Sequence, residues 1–399
     1  MEIDSFIPYG RQIIEQDDID AVIEVLRSAW ITQGPRGEEF EKKVAAYCGV
    51  SYAVAFNSGT SALHAAIYAA GIGPGDEVIT SPVTFLATAN AAVYAGARPV
   101  FVDMDINNYC IDPQLVEAAI THRSRAIVPV DYAGYPVDMS MIKEIARKHN
   151  LLIIEDAAHA LGAQRQGRAI GQDADMSILS FHPVKHITTG EGGMVLTDNP
   201  ELQERLRQFR SHGIVRDASR MMENHGPWYY EMQSLGYNFR LSDIQSALGI
   251  SQLKKLETFV EERQRIARYY DQAFAGIEQL HTPPHPAAGD RHAYHLYPLL
   301  VSPEIDRQEV FSYLREQRIG VQVHYIPVHL QPYYRKNYGY ALGDFAVAED
   351  FYRREISLPI FPGLKREEQD YVIHHVWSSV IGRRMTEDGR RKTEELTQE

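Results

Sequence analysis

Lys185 stands in SFHPVKHITTGEGG, residues 180–193, between the apolar run MSILSF and a glycine-bounded turn. An ammonium is costly to bury, so most lysines lie at the surface. Here the glycines let backbone approach something closely, which makes Lys185 a candidate reactive amine. Three other stretches put chemistry-bearing residues at the ends of apolar runs. In LLIIEDAAHALGA, Glu155 and Asp156 close such a run, and His159 follows three residues after Asp156. A carboxylate in that position is expensive unless a cation meets it. In NSGTSALHAAIYAAG, Gly59, Thr60 and Ser61 open a helical pattern. Hydroxyls and unpaired N–H groups at a helix N-terminus favour an anion such as a phosphate. In SPVTFLATANAA, Phe85 offers a flat ring for stacking.

Each stretch also has a plain structural use. Ser and Thr cap helices, acids favour helix starts, and phenylalanine fills cores. No GxxxxGK[ST] spacing occurs and no GxGxxG follows a strand, which speaks against a P-loop or a dinucleotide-binding oxidoreductase. Taken together, the four stretches supply a phosphate seat, a stacking ring, an acid for a pyridine nitrogen and an amine for an aldehyde. Those are the needs of pyridoxal phosphate, held on the lysine as a Schiff base with an acid keeping the ring nitrogen protonated. Crowding lowers the pKa of such a lysine and frees it as nucleophile and base.

The elements that must position these residues alternate. AVAF, DEVITS, RPVFVD, AIVPVD and LLIIED are each separated from the next by a helical pattern. The fold class expected is α/β, a mostly parallel sheet covered by helices, with ligand-binding residues at the strand ends. ADMSILSF and GGMVLTD read as strands flanking Lys185, and DDIDAVIEVLRSA as a helix with Ile19, Val22, Ile23 and Leu26 on one stripe. After Asn238 the pattern turns helical; Ser242 and Gln245 form a capping box. AYHLYPLLV and GVQVHY read as strands of a smaller α+β domain. We expect a large domain over 1–254, a small C-terminal domain over 255–382, and a charged, frayed tail over 383–399. The segment RDASRMMENHGPWYY reads as a surface insertion.

Composition bounds the function. The 399 residues are 44% hydrophobic and 23% charged, with a net charge of -13, which argues against non-specific nucleic-acid binding. Two cysteines, Cys48 and Cys110, sit in no metal-like cluster and suggest a reducing compartment. No apolar run reaches the length of a membrane span, and the N-terminus reads as no signal peptide. The expectation is a cytoplasmic protein with no metal, no nucleic acid and no membrane among its partners.

NSGTSAL, EDAAHALGA, SFHPVKHITTGEGG, FRSHGI and LGYNFRLSDIQSALGISQLKK resemble the sugar-nucleotide aminotransferases of the DegT/DnrJ/EryC1/StrS family, and the resemblance runs to about residue 381. It implies the fold-type I, aspartate-aminotransferase-like architecture. FHPVKHITTGEGG, VDYAG, GVQVHYIPVH and AEDFYRREISLP resemble most the branch that aminates C4 of a UDP-linked 4-keto-6-deoxy-N-acetylhexosamine in pseudaminic-acid-type biosynthesis. The resemblance implies Lys185 as the cofactor lysine, Asp156 as the acid at the pyridine nitrogen and Phe85 as the stacking ring. It implies cofactor contacts at Thr60, Ser61, Ser180 and His159, with L-glutamate as the amino donor. It further implies an obligate homodimer in which Asn238 enters the neighbouring subunit's phosphate site. For the substrate diphosphate the candidates are Arg240 and the turn of Thr32, Gln33 and Gly34, with His324 and Tyr325 nearby on a strand end. Two rival readings are an aminotransferase acting on another 4-keto nucleotide sugar and a non-catalytic sensor that binds cofactor or sugar nucleotide.

Overall fold

The structure, a computed structural model, describes residues 5–381. Seven strands form the central sheet: β1 (Tyr52–Phe56), β2 (Glu77–Thr80), β3 (Arg98–Phe101), β4 (Ser124–Val128), β5 (Leu152–Asp156), β6 (Met176–Ser180) and β7 (Gly193–Thr197). Their order is β1-β7-β6-β5-β4-β2-β3, and only β7 runs antiparallel to its neighbours. The apolar runs of the sequence become strands covered on both faces, as parallel sheets require. Helices Gly59–Ala69 and Leu86–Tyr94 pack on this sheet through small side chains, among them Ala62, Ala66, Ala91 and Ala92. The architecture is the helix-covered, mostly parallel α/β sheet expected from the sequence.

Register brings the motifs together. Gly193, the first residue of β7, pairs with Phe56 at the end of β1 and with Ser180 at the end of β6. Asp156, at the end of β5, pairs with Ile178. The turn after β1, the acid after β5 and the lysine loop after β6 therefore share one edge of the sheet, the usual place for a site in an open α/β fold. A Cβ on Gly193 would lie 2.4 Å from Ser58 O and 2.6 Å from Gly59 N, so only glycine lets the turn pass.

A second, antiparallel sheet joins β8 (Leu280–His281), β9 (Tyr297–Val301) and β10 (Glu355–Leu358) over its own apolar core. Helix Leu256–Phe274 belongs to both cores: Leu256 and Val260 pack under the large sheet, Ile266, Tyr270 and Phe274 in the small one. The boundary expected after residue 254 thus falls just before a helix that both cores share. The tail expected over 383–399 lies outside the described residues.

Two expectations change. GVQVHY is not a strand but an extended segment with one bridge, Gln322 to Ser357. Val323 N then donates to the Gln322 side chain and His324 N to the Glu355 side chain instead of to a ladder. In helix Gln16–Leu26, Ile19 and Leu26 are exposed while Asp18 and Val25 are buried. That helix docks through polar contacts, with Asp18 Oδ2 accepting from Gln252 and Lys255. RDASRMMENHGPWYY carries only a short 3-10 turn, Ala218–Arg220, and is largely exposed, with Met222 and Trp228 in solvent.

Candidate active site

Where those strand ends meet, a cavity of about 820 Å³ opens. One wall is the N-terminus of helix Gly59–Ala69. Ser58 caps it: its Oγ accepts from Ser61 N at 3.1 Å, and Ser61 Oγ in turn accepts from Ser58 N at 3.1 Å. This capping box serves the N–H groups of Ser58 and Ser61, and Gly59 and Thr60, the two residues between them, line the cavity. A Cβ on Gly59 would stand 3.2 Å from Ser180 Cβ, so the glycine keeps the turn close to β6. Ser61 is turned inward, its Oγ also 2.7 Å from Asn57 Oδ1, and does not line the cavity.

Asp156 forms part of the floor. Its Oδ2 accepts from Thr88 Oγ1 at 2.6 Å and its Oδ1 from Ala158 N at 3.2 Å, yet no cation is hydrogen-bonded to it. Burial raises its pKa, against the lowering pull of these two donors and of the Lys185 charge. Thr84 Oγ1 stands 2.8 Å from Thr88 Oγ1 and continues the line of hydroxyls.

Lys185 enters from the loop after β6. Burial lowers its amine to about 7, with Asp156 acting in the opposite direction and Arg263 adding to the lowering. Its Nζ is 3.3 Å from His295 Nε2. The His295 ring packs at a 47° tilt against that of His159, centroids 4.4 Å apart, and His159 Nε2 faces Tyr325 OH at 3.0 Å. Burial, reinforced by the Lys185 charge, pushes both imidazoles well below their usual range, so both are neutral.

Of the residues expected from sequence, Gly59, Thr60, Phe85, Asp156, His159 and Ser180 line this cavity with Lys185, as do His324 and Tyr325. Phe85 is 56% exposed, its ring 6.1 Å from that of Tyr325 at the mouth. Asn238 and Arg240 do not line it, and neither does the Thr32–Gln33–Gly34 turn. Gln33 adopts φ 55°, and Asp243 holds the turn through Gly34 N at 2.8 Å and Arg36 N at 2.9 Å. Sequence reasoning missed His295 and Thr88. A histidine beside a strand and a threonine inside ATANAA give no local signal, because their meaning lies in partners 110 and 68 residues away.

Residues 12–377 match the DegT/DnrJ/EryC1/StrS aminotransferase family. The chain belongs to that family. Among its relatives, the Bacillus subtilis spore coat polysaccharide biosynthesis protein SpsC is 44% identical, across 94% of this chain and 98% of its own. The Campylobacter jejuni UDP-4-amino-4,6-dideoxy-N-acetyl-beta-L-altrosamine transaminase is 42% identical across 92% and 95%. Helicobacter pylori PseC, an aminotransferase of pseudaminic acid biosynthesis, superposes with a TM-score of 0.89 at 36% identity, covering 95% of this chain and all of PseC. Solved family structures include forms with pyridoxal and pyridoxamine phosphate, and the cofactor of this aminotransferase is pyridoxal phosphate.

The residues present fit that group. A buried carboxylate without a bonded cation suits a protonated pyridine nitrogen, two open helix-terminal amides suit a phosphate, and a buried amine near neutrality suits an aldehyde. His159 Nδ1, buried and without a partner, is available to a ring substituent. Among the described residues no cluster of His, Cys, Asp or Glu could hold a metal, and no helix is long and apolar enough to cross a membrane.

Proposed function

We propose that this aminotransferase carries an amino group from L-glutamate to C4 of a UDP-linked 4-keto-6-deoxy-N-acetylhexosamine, in pseudaminic-acid-type biosynthesis. One observation carries the reading: Asp156, a buried acid lacking a bonded cation, and Lys185, an amine lowered to about 7, line the same cavity. The likeness to the altrosamine transaminase and to PseC supports the sugar. Bound here, pyridoxal phosphate supplies the electron sink that lets a proton leave the carbon bearing the amine.

The chain does the rest. Lys185 Nζ holds the cofactor's carbonyl end, then removes the proton from the donor's α-carbon; in the second half it delivers a proton to sugar C4. Asp156 holds the ring-nitrogen proton. Gly59 and Thr60 N–H groups bind the phosphate, with Ser61 supporting the turn and Ser180 beside it. Phe85 would stack on the ring, and His159, with Tyr325 OH at its Nε2, would meet a ring substituent through Nδ1. His324 lies at the sugar side.

The working unit is a homodimer. Trp30, Trp228 and Leu235, more than half exposed in the single chain, offer apolar side chains that a second copy would cover. Asn238, exposed and outside its own cavity, reaches the phosphate of the neighbouring site. Thr32, Gln33, Gly34 and Arg240 meet the substrate diphosphate on the same terms, from the neighbouring copy.

The test follows the absorption of the cofactor-loaded protein. L-Glutamate should convert the lysine-bound band to that of the amine form, and the UDP-4-keto-6-deoxy sugar should restore it with release of a 4-amino sugar. A spectrum unmoved by glutamate, with a Lys185→Ala variant equal to wild type in every assay, would favour a sensor and sink the proposal. The likeness to SpsC favours a second reading, a different 4-keto nucleotide sugar as acceptor. A panel of such sugars ranked by kcat/KM separates the two.

A further inference from the structure

Arg263 is 1% exposed, and its guanidinium is met by carbonyls instead of a carboxylate. Nη1 donates to Ile360 O at 2.9 Å, His295 O at 3.2 Å and Tyr294 O at 3.3 Å; Nη2 donates to Val184 O at 3.3 Å. Val184 precedes Lys185, and His295 is the residue whose ring faces the lysine amine. A single rigid fork on the shared helix thus fixes the lysine loop and the approach to β9 relative to each other.

That clamp defines the Lys185–His295 contact. His295 is 4% exposed, its Nε2 stands 3.3 Å from Lys185 Nζ, and its Nδ1 is buried with no partner. The His159 ring packs against it at a 47° tilt, centroids 4.4 Å apart, and limits how far the imidazole can turn. We propose that His295 is a further catalytic residue: its imidazole seats the Lys185 amine whenever that amine is not joined to the cofactor, and keeps it uncharged. The inference rests on the functional reading above, in which a neutral Lys185 moves the proton.

The physical reason lies in the choice of partner. A carboxylate in this place would stabilise an ammonium, whereas a neutral imidazole offers a hydrogen bond with no charge attached. Besides burial, the groups that act on Lys185 are Asp156 at the end of β5 and Arg263 on the shared helix; the imidazoles that feel its charge are His159 after β5, His182 and His186 on its own loop, and His324 before β10. Asp156 is the single anion in that set, and Thr88 and the Ala158 N–H already share its charge. The seat therefore holds the amine without pulling a proton onto it.

The experiment measures how fast the full chain, stripped of cofactor, takes up pyridoxal phosphate as pH is varied. Only the neutral amine attacks the aldehyde, so the wild-type rate should rise with pH and level off above about 7. His295→Asp should displace the plateau upward by about 1 pH unit or more, making uptake about 5-fold slower or more at pH 7. His295→Asn, which keeps a neutral partner, should retain the wild-type profile. An Asp variant whose profile superimposes on wild type overturns the proposal. If the Asp variant does not fold, His295→Leu decides: loss of the seat should lower kcat about 10-fold with KM unchanged, since the interaction lost is one of the chemical step. Wild-type kcat in that variant overturns the proposal. Borohydride fixation followed by peptide mapping separates the two readings. Absence of an adduct on Lys185 in wild type overturns the functional reading and this one together. A wild-type adduct with an unmoved Asp variant overturns this one alone.

Discussion

Thr88 Oγ1 donates to Asp156 Oδ2 across 2.6 Å, from the first turn of helix Leu86–Tyr94 to the end of β5. The bond crosses between elements that are far apart in the chain, and it aims the carboxylate that the proposed function sets at the cofactor's ring nitrogen. A hydrogen bond to a charged group that is lost on the protein side leaves the acid free to rotate and to take up a proton.

Thr88→Val keeps the shape and removes the donor. Because burial already raises Asp156, loss of Thr88 should raise it further and weaken its hold on the pyridine proton. We expect kcat/KM to fall about 10- to 100-fold, the worth of a hydrogen bond to a charged group. Thr88→Ser, which keeps the hydroxyl, should recover most of the loss. Steady-state kinetics on both variants checks this; a Val variant as active as wild type would leave Thr88 a packing residue.

Gly193→Ala tests the close approach of β7 to the phosphate turn. The new methyl would meet backbone, Ser58 O at 2.4 Å and Gly59 N at 2.6 Å, and backbone cannot swing aside as a side-chain tip can. Overpacking of this kind should cost about 1–3 kcal/mol of stability and weaken cofactor binding. Thermal unfolding with and without cofactor measures both. Gly73→Ala is the control, since a Cβ there meets nothing within 4 Å and its φ is not in the left-handed region.

A shared site predicts subunit complementation. Lys185→Ala and Asn238→Ala variants, each inactive or nearly so, should regain activity when unfolded together and refolded, because one site of each mixed dimer then has both native residues. In a two-fold dimer with random pairing the recovery approaches about a quarter of wild type. Recovery of nothing, from mixed dimers demonstrated by mass, would confine Asn238 to its own chain.

Much of this was legible in the sequence because strand ends carry their chemistry locally. Lys185 is followed by glycines, Asp156 closes an apolar run, and Gly59 and Thr60 open a helix; the parallel sheet then brings such ends to one edge. Thr88, His295 and Arg263 were not legible. Thr88 sits in an alanine-rich helix, His295 in a run that reads as strand, and Arg263 in LETFVEERQRIARYYDQAF among exposed charged neighbours. Each owes its role to a tertiary contact, and a buried arginine without an acid nearby has no signature in composition or period. GVQVHY misled for a related reason. Its alternation suits a strand, but the side chains of Glu355 and Tyr132 take up the polar groups of His324, so the ladder stops after Gln322.

Glu355 itself yields the prediction with a sign in pH. It is fully buried on β10, with Ser357 Oγ at 2.5 Å and His324 N donating at 2.8 Å. His324 Nδ1 lies 2.8 Å from the same serine. Burial raises Glu355 from 4.5 to about 8, against the pull of both donors, so the folded protein holds this carboxyl neutral at neutral pH. The acid proton then belongs on the Ser357 side, where the hydroxyl turns to accept it and donates onward to His324 Nδ1. A folded-state value above the unfolded one means that the folded chain binds the extra proton. Its contribution to stability is therefore complete below about 4.5 and is lost as pH rises through about 8. Glu355→Gln mimics the neutral acid, its Nε2 donating to Ser357 and its Oε1 accepting from His324 N, and cannot ionise. Relative to the Gln variant, wild type should lose stability across that window, with a slope no steeper than about 1.4 kcal/mol per pH unit. Urea unfolding of both proteins at several pH values measures the difference. A difference that stays flat with pH would mean that Glu355 is ionised in the folded chain and that His324 is seated by a carboxylate.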